Sequence, residues 1–289
     1  MVDLSKTIPS VSAFALGPVV PMTEARYGEL LFHHASICFQ NRQSCHFCSP
    51  FGRSNAPTWD LENDGRGNPM DVKTLLIANY TPPAMPHDIR QDYSVAVHVG
   101  FQFILFVDTE EEKAEAVECY IEGMRPAESP HLVNGEPSGA ALRGKELFFR
   151  TIFRATNVIR SPFLYRPGRS RCSVRESYDL GSRFDTPALI ECRRTVPYLY
   201  SGKYTTLREL FAEGKHGVIS RLTDQEIDDL CPFLLPLEAI HLLLPPLLPE
   251  KELFSPSTYT PCRRRKAKGY MQHLRRNDII CNNSLGSIL

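Results

Sequence analysis

Residues 38–53 read CFQNRQSCHFCSPFGR, and the turn Cys45-His46-Phe47-Cys48 inside them decides how the rest of the chain is read. A CxxC directly after a predicted helix has the spacing at which two thiols add across the vinyl groups of a porphyrin. The next residue, a histidine, then serves as the iron's axial ligand. Here the next residue is Ser49. A hydroxyl is a poor donor to haem iron where a neutral imidazole is preferred, so the chain shows the anchor of such a site without its ligand. His46 sits inside the turn and is not expected to reach the same face of the ring. Two plainer readings stand beside this one. The thiols can be buried and idle, or they can join Cys38 and His46 in a zinc site, although one CxxC alone follows no common zinc pattern.

Working outward, a chain of 289 residues is long enough for about two domains. Its 42% apolar and 23% charged content is ordinary for a globular protein, and a net charge of zero calls for neither nucleic acid nor an anionic membrane. Twenty-three prolines favour short helices joined by irregular loops. Nine scattered cysteines, an odd number, argue against a closed disulfide framework. No signal peptide is visible in the first 21 residues. The greasy run over 230–249 is broken by Pro232, Pro236, Glu238, Pro245 and Pro246, and fails as a membrane span. Covalent haem attachment is chemistry of the space outside the cytoplasm, so on that reading the N-terminus is incomplete or that of a fragment.

Thr23 predicts the cap of a helix over TEARYGELLFHHA, with Glu24 suited to the helix dipole. The Gly, Pro, Asn and Asp of 40–86 predict long loops. A second helix is predicted over 108–124, where Ala114, Val117, Tyr120, Ile121 and Met124 recur at helical spacing. Residues 125–137 read as a linker. Ser138 then caps GAALRGKELFF, and Gly144-Lys-Glu-Leu-Phe148 echoes Gly28-Glu-Leu-Leu-Phe32. Thr206 with Glu209, and Thr223 with Glu226, are capping boxes that open two short helices, the first stopped by Gly214. No strand pattern stands out. The reading is all-α: an extension over 1–21, domains over 22–130 and 131–244 with long irregular loops, and a disordered basic tail over 245–289.

These residues resemble a known family. GELLFHHASICFQNRQSCHFCSPFGRSNAPTWDLENDGRGNP (residues 28–69) and TLLIANYTPPAM (74–85) are similar to the first haem domain of di-haem cytochrome c peroxidase-like proteins, in the subgroup where this unit follows a β-propeller. SPHLVNGEPSGAALRGKELF (129–148), FDTPALIECRRTVPYLYSGKYTTLRELF (184–211) and LTDQEIDDLCPFL (222–234) are similar to the second. The resemblance covers roughly 22–236. It implies two cytochrome c-like domains, each with one haem c, in the periplasm. There the pair reduces hydrogen peroxide with electrons from a small electron-donor protein. Position by position, Cys45 and Cys48 match the first haem-linking pair. Met85 falls where a distal ligand or pocket residue lies, Trp59 on a path between the haems, and Tyr200 at the second pocket, where many relatives carry histidine.

The departures from that pattern bear on activity. Ser49 replaces the proximal histidine, and the second CxxCH is missing from FRATNVIRSPFLYRPGRSRC (153–172). Back-translated with permitted codons and read one base earlier, Arg154-Ala-Thr-Asn-Val-Ile159 encodes Cys-Asn-Lys-Cys-His. A frameshifted stretch near 154–175, and a similar one in the tail after about 240, is therefore expected. Codons other than TGY and CAY in the shifted frame would refute it. The plainer readings remain beside these assignments: His33 and His34 as a helix-end pair, Met85, Trp59, Tyr198 and Tyr200 as packing residues. The alternative for the whole chain is a haem-free degenerate module with a structural or interaction role.

Overall fold

The computed structural model describes residues 2–3, 10–11, 14, 17–63, 65, 67–153, 169–171, 183–216 and 221–237. The expected frameshifted stretch (but for 169–171), the basic tail and most of the N-terminal extension lie outside the described residues. Helices dominate what is described: α1 Glu24–His33, α2 Cys45–Cys48, α3 Tyr93–Val99, α4 Glu111–Gly123, α5 Gly139–Leu147, α6 Leu207–Ala212 and α7 Asp224–Leu234. The strands form three small antiparallel pairs: β1 Val2–Asp3 with β2 Ser10–Val11, β3 Thr58–Trp59 with β4 Met70–Asp71, and β5 Arg169–Arg171 with β6 Arg183–Asp185. Ladders of two or three residues leave no period to detect in sequence, which is why no strand stood out.

The caps behave as their chemistry predicts. Thr23, Ser138, Thr206 and Thr223 each accept a backbone N–H from the first turn of their helix, and the two capping boxes are complete. Helix α3 is not legible from sequence, because Val95, Val97 and Val99 are β-branched. Asp92 starts it by accepting from Val95 N–H at 3.0 Å, and packing on α4 sustains it. It continues as a π-helical turn over Gly100–Ile104.

Two helix crossings organise the buried side chains. α1 lies on α4, and α5 lies on α7, with a glycine at each contact. A Cβ on Gly28 would overlap the carbonyl of Ala116, and one on Gly144 that of Asp229. The echo between 28–32 and 144–148 is thus one packing device used twice. Around the first crossing Leu31, Phe32, Leu76, Phe101 and Val117 form a hydrophobic cluster, and around the second Leu147, Phe148, Leu210, Leu230 and Phe233 form another. Phe32 is 0% exposed, and each such large side chain adds on the order of 1.5–3 kcal/mol.

The repetition extends well past the helices. Ile77 and Glu191 both take a left-handed backbone, and each precedes a 3-10 turn. The bonds Pro82–Pro83 and Val196–Pro197 are both cis. Bridge Ala84–Arg90 answers bridge Tyr198–Tyr204, and Met85 at φ 72° answers Leu199 at φ 69°. The two halves meet through a reciprocal pair of backbone bonds. Asp71 N–H donates to the Tyr200 carbonyl at 2.6 Å, and Asp185 N–H to the Pro86 carbonyl at 2.7 Å. Arg53 Nε also donates to Glu191 Oε2 at 2.7 Å across this seam.

Candidate functional site

Between α2, the β3–β4 ladder and α3 lies an open cavity of about 210 Å³. Its wall is mostly apolar, with Phe32, Leu76, Tyr93, Val97, Phe101 and Leu105 among the lining side chains. Cys45 and Cys48 border it from the single turn of α2, and both thiols are free. Burial pushes Cys45 up to about 12, with Cys48 and Cys38 adding to the rise against a backbone hydrogen bond. Burial also lifts Cys48 to about 11. Thiols this reluctant to ionise do not form a low-pKa dithiol redox pair. They sit as neutral sulfurs at the rim of an apolar slot.

The sequence-predicted residues sort cleanly. Cys45, Cys48, Trp59 and Met85 line the cavity, and Tyr200 does not. Trp59 donates from its indole N–H to Asn55 Oδ1 at 3.0 Å and meets Phe47 edge to face. Tyr200 instead stacks on Phe184 at 4.2 Å with the planes 18° apart, and Phe184 in turn lies 4.6 Å from the His87 ring. Tyr198 is buried in the second hydrophobic cluster. Ser49, 7% exposed, lines the cavity just where the residue after the CxxC should be.

No histidine lines the cavity among the described residues. His46 turns the other way. Its ring lies 4.4 Å from that of His33, and its Nδ1 accepts the Phe51 N–H at 3.2 Å. His33 Nε2 is 3.1 Å from Tyr120 Oη, while His34 folds back on Ser36. The zinc reading gains nothing: among the described residues no three His, Cys, Asp or Glu side chains form a metal-holding group.

Four charged residues in the wall escaped the sequence reading. Glu62 is buried, with His87 Nδ1 2.7 Å from its Oε2 and the His87 N–H donating to Oε1 at 2.9 Å. Arg90 donates from Nη2 to the Glu62 carbonyl at 2.9 Å, and Lys73 pairs with Asp185. Asp71 accepts from Ser54 Oγ. They lie in loops and a two-residue strand, where no periodicity marks an inward-facing side chain.

The donor set suits a tethered porphyrin in three respects and fails in one. The thiols are free and adjacent, the slot is apolar, and the buried Arg90 Nε has no hydrogen-bond partner, a donor ready for a carboxylate such as a propionate. The axial imidazole is what the described wall does not offer; the thioethers in it are those of Met70 and Met85.

No protein-family model matches this sequence, and no curated protein does. Solved structures match the fold. The chain is similar to hydrazine synthase of Kuenenia stuttgartiensis, studied under xenon pressure, with TM-score 0.61 and 20% identity over 81% of this chain and 99% of that one. It is also similar to a MauG-like protein associated with microbial copper homeostasis, with TM-score 0.60 and 16% identity over 78% and 92%. At such identities the likeness establishes the helix-rich fold. Among the described residues no helix is long and apolar enough to cross a membrane.

Proposed function

We propose that this chain is a c-type haem protein of the cytochrome c peroxidase-like kind, built as two cytochrome c-like domains over 22–130 and 131–244. It holds one porphyrin through Cys45 and Cys48. The observation that carries the reading is the apolar cavity bordered by both thiols of the CxxC, with Met85 in the same wall and Ser49 in place of the axial histidine. When bound, the group supplies one-electron chemistry at iron. The chain supplies the rest. Cys45 and Cys48 would hold the group, Arg90 would receive a carboxylate, and Phe32, Leu76 and Phe101 would exclude water. The proposed partners are a small electron-donor protein and hydrogen peroxide, and the proposed location is the periplasm.

With serine in the proximal position, and a second tether absent from the sequence, we infer that electron transfer survives better than peroxidase turnover. Peroxide chemistry in this scheme needs an entry haem and a reactive one. A second reading, a haem-free structural or interaction module, is favoured by one observation: no described histidine reaches the cavity. Co-expression with haem-attachment machinery, followed by a pyridine haemochrome assay on denatured protein, decides between them. A Soret band that survives denaturation, and is lost in Cys45→Ala with Cys48→Ala, supports the tether. Wild-type protein that never carries it refutes the tether and leaves the module.

A further inference from the structure

Four charged side chains stand in the cavity wall, and three of them are engaged by other parts of the protein. Lys73 pairs with Asp185. Glu62 takes the His87 N–H on Oε1 at 2.9 Å and has His87 Nδ1 2.7 Å from Oε2. Asp71 accepts from Ser54 Oγ. Arg90 differs. Its Nη2 donates to the Glu62 carbonyl at 2.9 Å, but its buried Nε has no hydrogen-bond partner, and among the described residues no carboxylate pairs with it.

A buried N–H left unanswered on a cation is costly, because a hydrogen bond and a counter-charge are both missing. A carboxylate answers both, since its two oxygens match the guanidinium fork. Glu62 does not supply it, as His87 holds both of its oxygens. The rest of the wall sets what a ligand carries behind its head group. Phe32, Leu76 and Phe101 present hydrocarbon there. At roughly 30 Å³ for a water-sized group, 210 Å³ holds a tail of about seven carbons.

We propose that this cavity, in protein made without porphyrin, binds a medium-chain monocarboxylic acid of about eight carbons. The carboxylate sits on Arg90 Nε, and the tail lies along Phe32, Leu76 and Phe101. Binding is non-covalent, and no bond forms or breaks. The inference goes beyond the tethered group and does not depend on it, since neither thiol takes part. Two carboxylates share the wall, so an alkyl amine is the competing ligand. Arg90 decides against the amine, because Glu62 and Asp71 already accept hydrogen bonds while Arg90 Nε donates none.

Trp59, the chain's only tryptophan, lines the cavity and reports its occupancy by fluorescence. The full-length chain, expressed without haem-attachment machinery, is titrated at neutral pH with octanoate, octanol and octylamine. Octanoate is expected to saturate the signal at about tenfold lower concentration than octanol, through its charge-assisted hydrogen bonds, with octylamine weakest. Arg90→Gln, checked for folding by circular dichroism, brings octanoate to the octanol value. Octanol or octylamine binding as tightly as octanoate overturns the proposal, and that wild-type comparison decides even where the variant does not fold. An octanoate preference that survives Arg90→Gln overturns it too, as does the lack of any saturable signal. The haemochrome assay decides the tether separately, so failure of one reading leaves the other standing.

Discussion

Gly28 of α1 packs directly against the backbone of Ala116 in α4, so close that a Cβ on the glycine would overlap the Ala116 carbonyl. The obstacle is backbone and cannot swing aside. Gly28→Ala is therefore expected to force the helices apart and lower stability by about 3 kcal/mol or more, since overpacking at a fixed contact costs about 1–3 kcal/mol even where side chains give way. Circular dichroism melts of Gly28→Ala and Gly144→Ala should both fall well below wild type. An unchanged melting temperature would show that the crossing relaxes.

The Arg53–Glu191 pair ties the halves together. Glu191 is 1% exposed, accepts from Arg53 Nε and from the Ala127 N–H, and has Arg193 Nη2 at 3.7 Å. Glu191→Ala strands buried cations and should cost about 3–5 kcal/mol by urea denaturation. The double variant Arg53→Met with Glu191→Leu should recover part of that loss, because it removes charge along with partner. A double variant as unstable as Glu191→Ala would place the damage in packing.

His98 near the end of α3 lies between Glu118 at 3.3 Å from Nδ1 and Glu111 at 3.3 Å from Nε2. Burial opposes its charge, yet the Glu118 hydrogen bond, the Ser94 carbonyl and the two carboxylate charges outweigh burial and lift it to about 9. A group raised above its unfolded value stabilises the fold fully below that value, here about 6.5, and the contribution fades as pH rises through 9. His98→Gln should thus lower stability at pH 6 by about 1 kcal/mol after solvent screening, worth a few degrees in melting temperature, and should match wild type near pH 10. A difference that persists unchanged at pH 10 would assign the effect to packing.

Ser49 lines the cavity directly after the CxxC. Ser49→His is expected to raise covalent haem content in co-expressed protein. It should also sharpen the Soret and visible bands as a nitrogen ligand replaces a weak oxygen. Absorption spectra of the two proteins, normalised by haemochrome content, make the comparison. Identical spectra would mean that the residue-49 side chain does not reach the iron.

Some of this molecule was legible in the sequence. Thr23, Ser138, Thr206 and Thr223 placed their helices because a cap is a local event: one side chain and an N–H two or three residues on. The CxxC was equally local, a covalent spacing visible without any fold. The doubled GELLF and GKELF segments hinted at the repeat. Other parts needed the folded chain. Helix α3 overrides the β-branched preference of its valines because Asp92 caps it and α4 buries it. Tyr200 fell outside the cavity and onto Phe184, while Glu62, Asp71, Lys73 and Arg90 fell into its wall, since loop residues carry no period that tells inside from outside. Among the described residues Lys73 pairs with Asp185, while the corresponding position in the second half is the exposed Pro187. Short-range covalent and hydrogen-bond geometry is written in adjacent residues; the company a charge keeps depends on segments more than a hundred positions apart, and only folding brings those together.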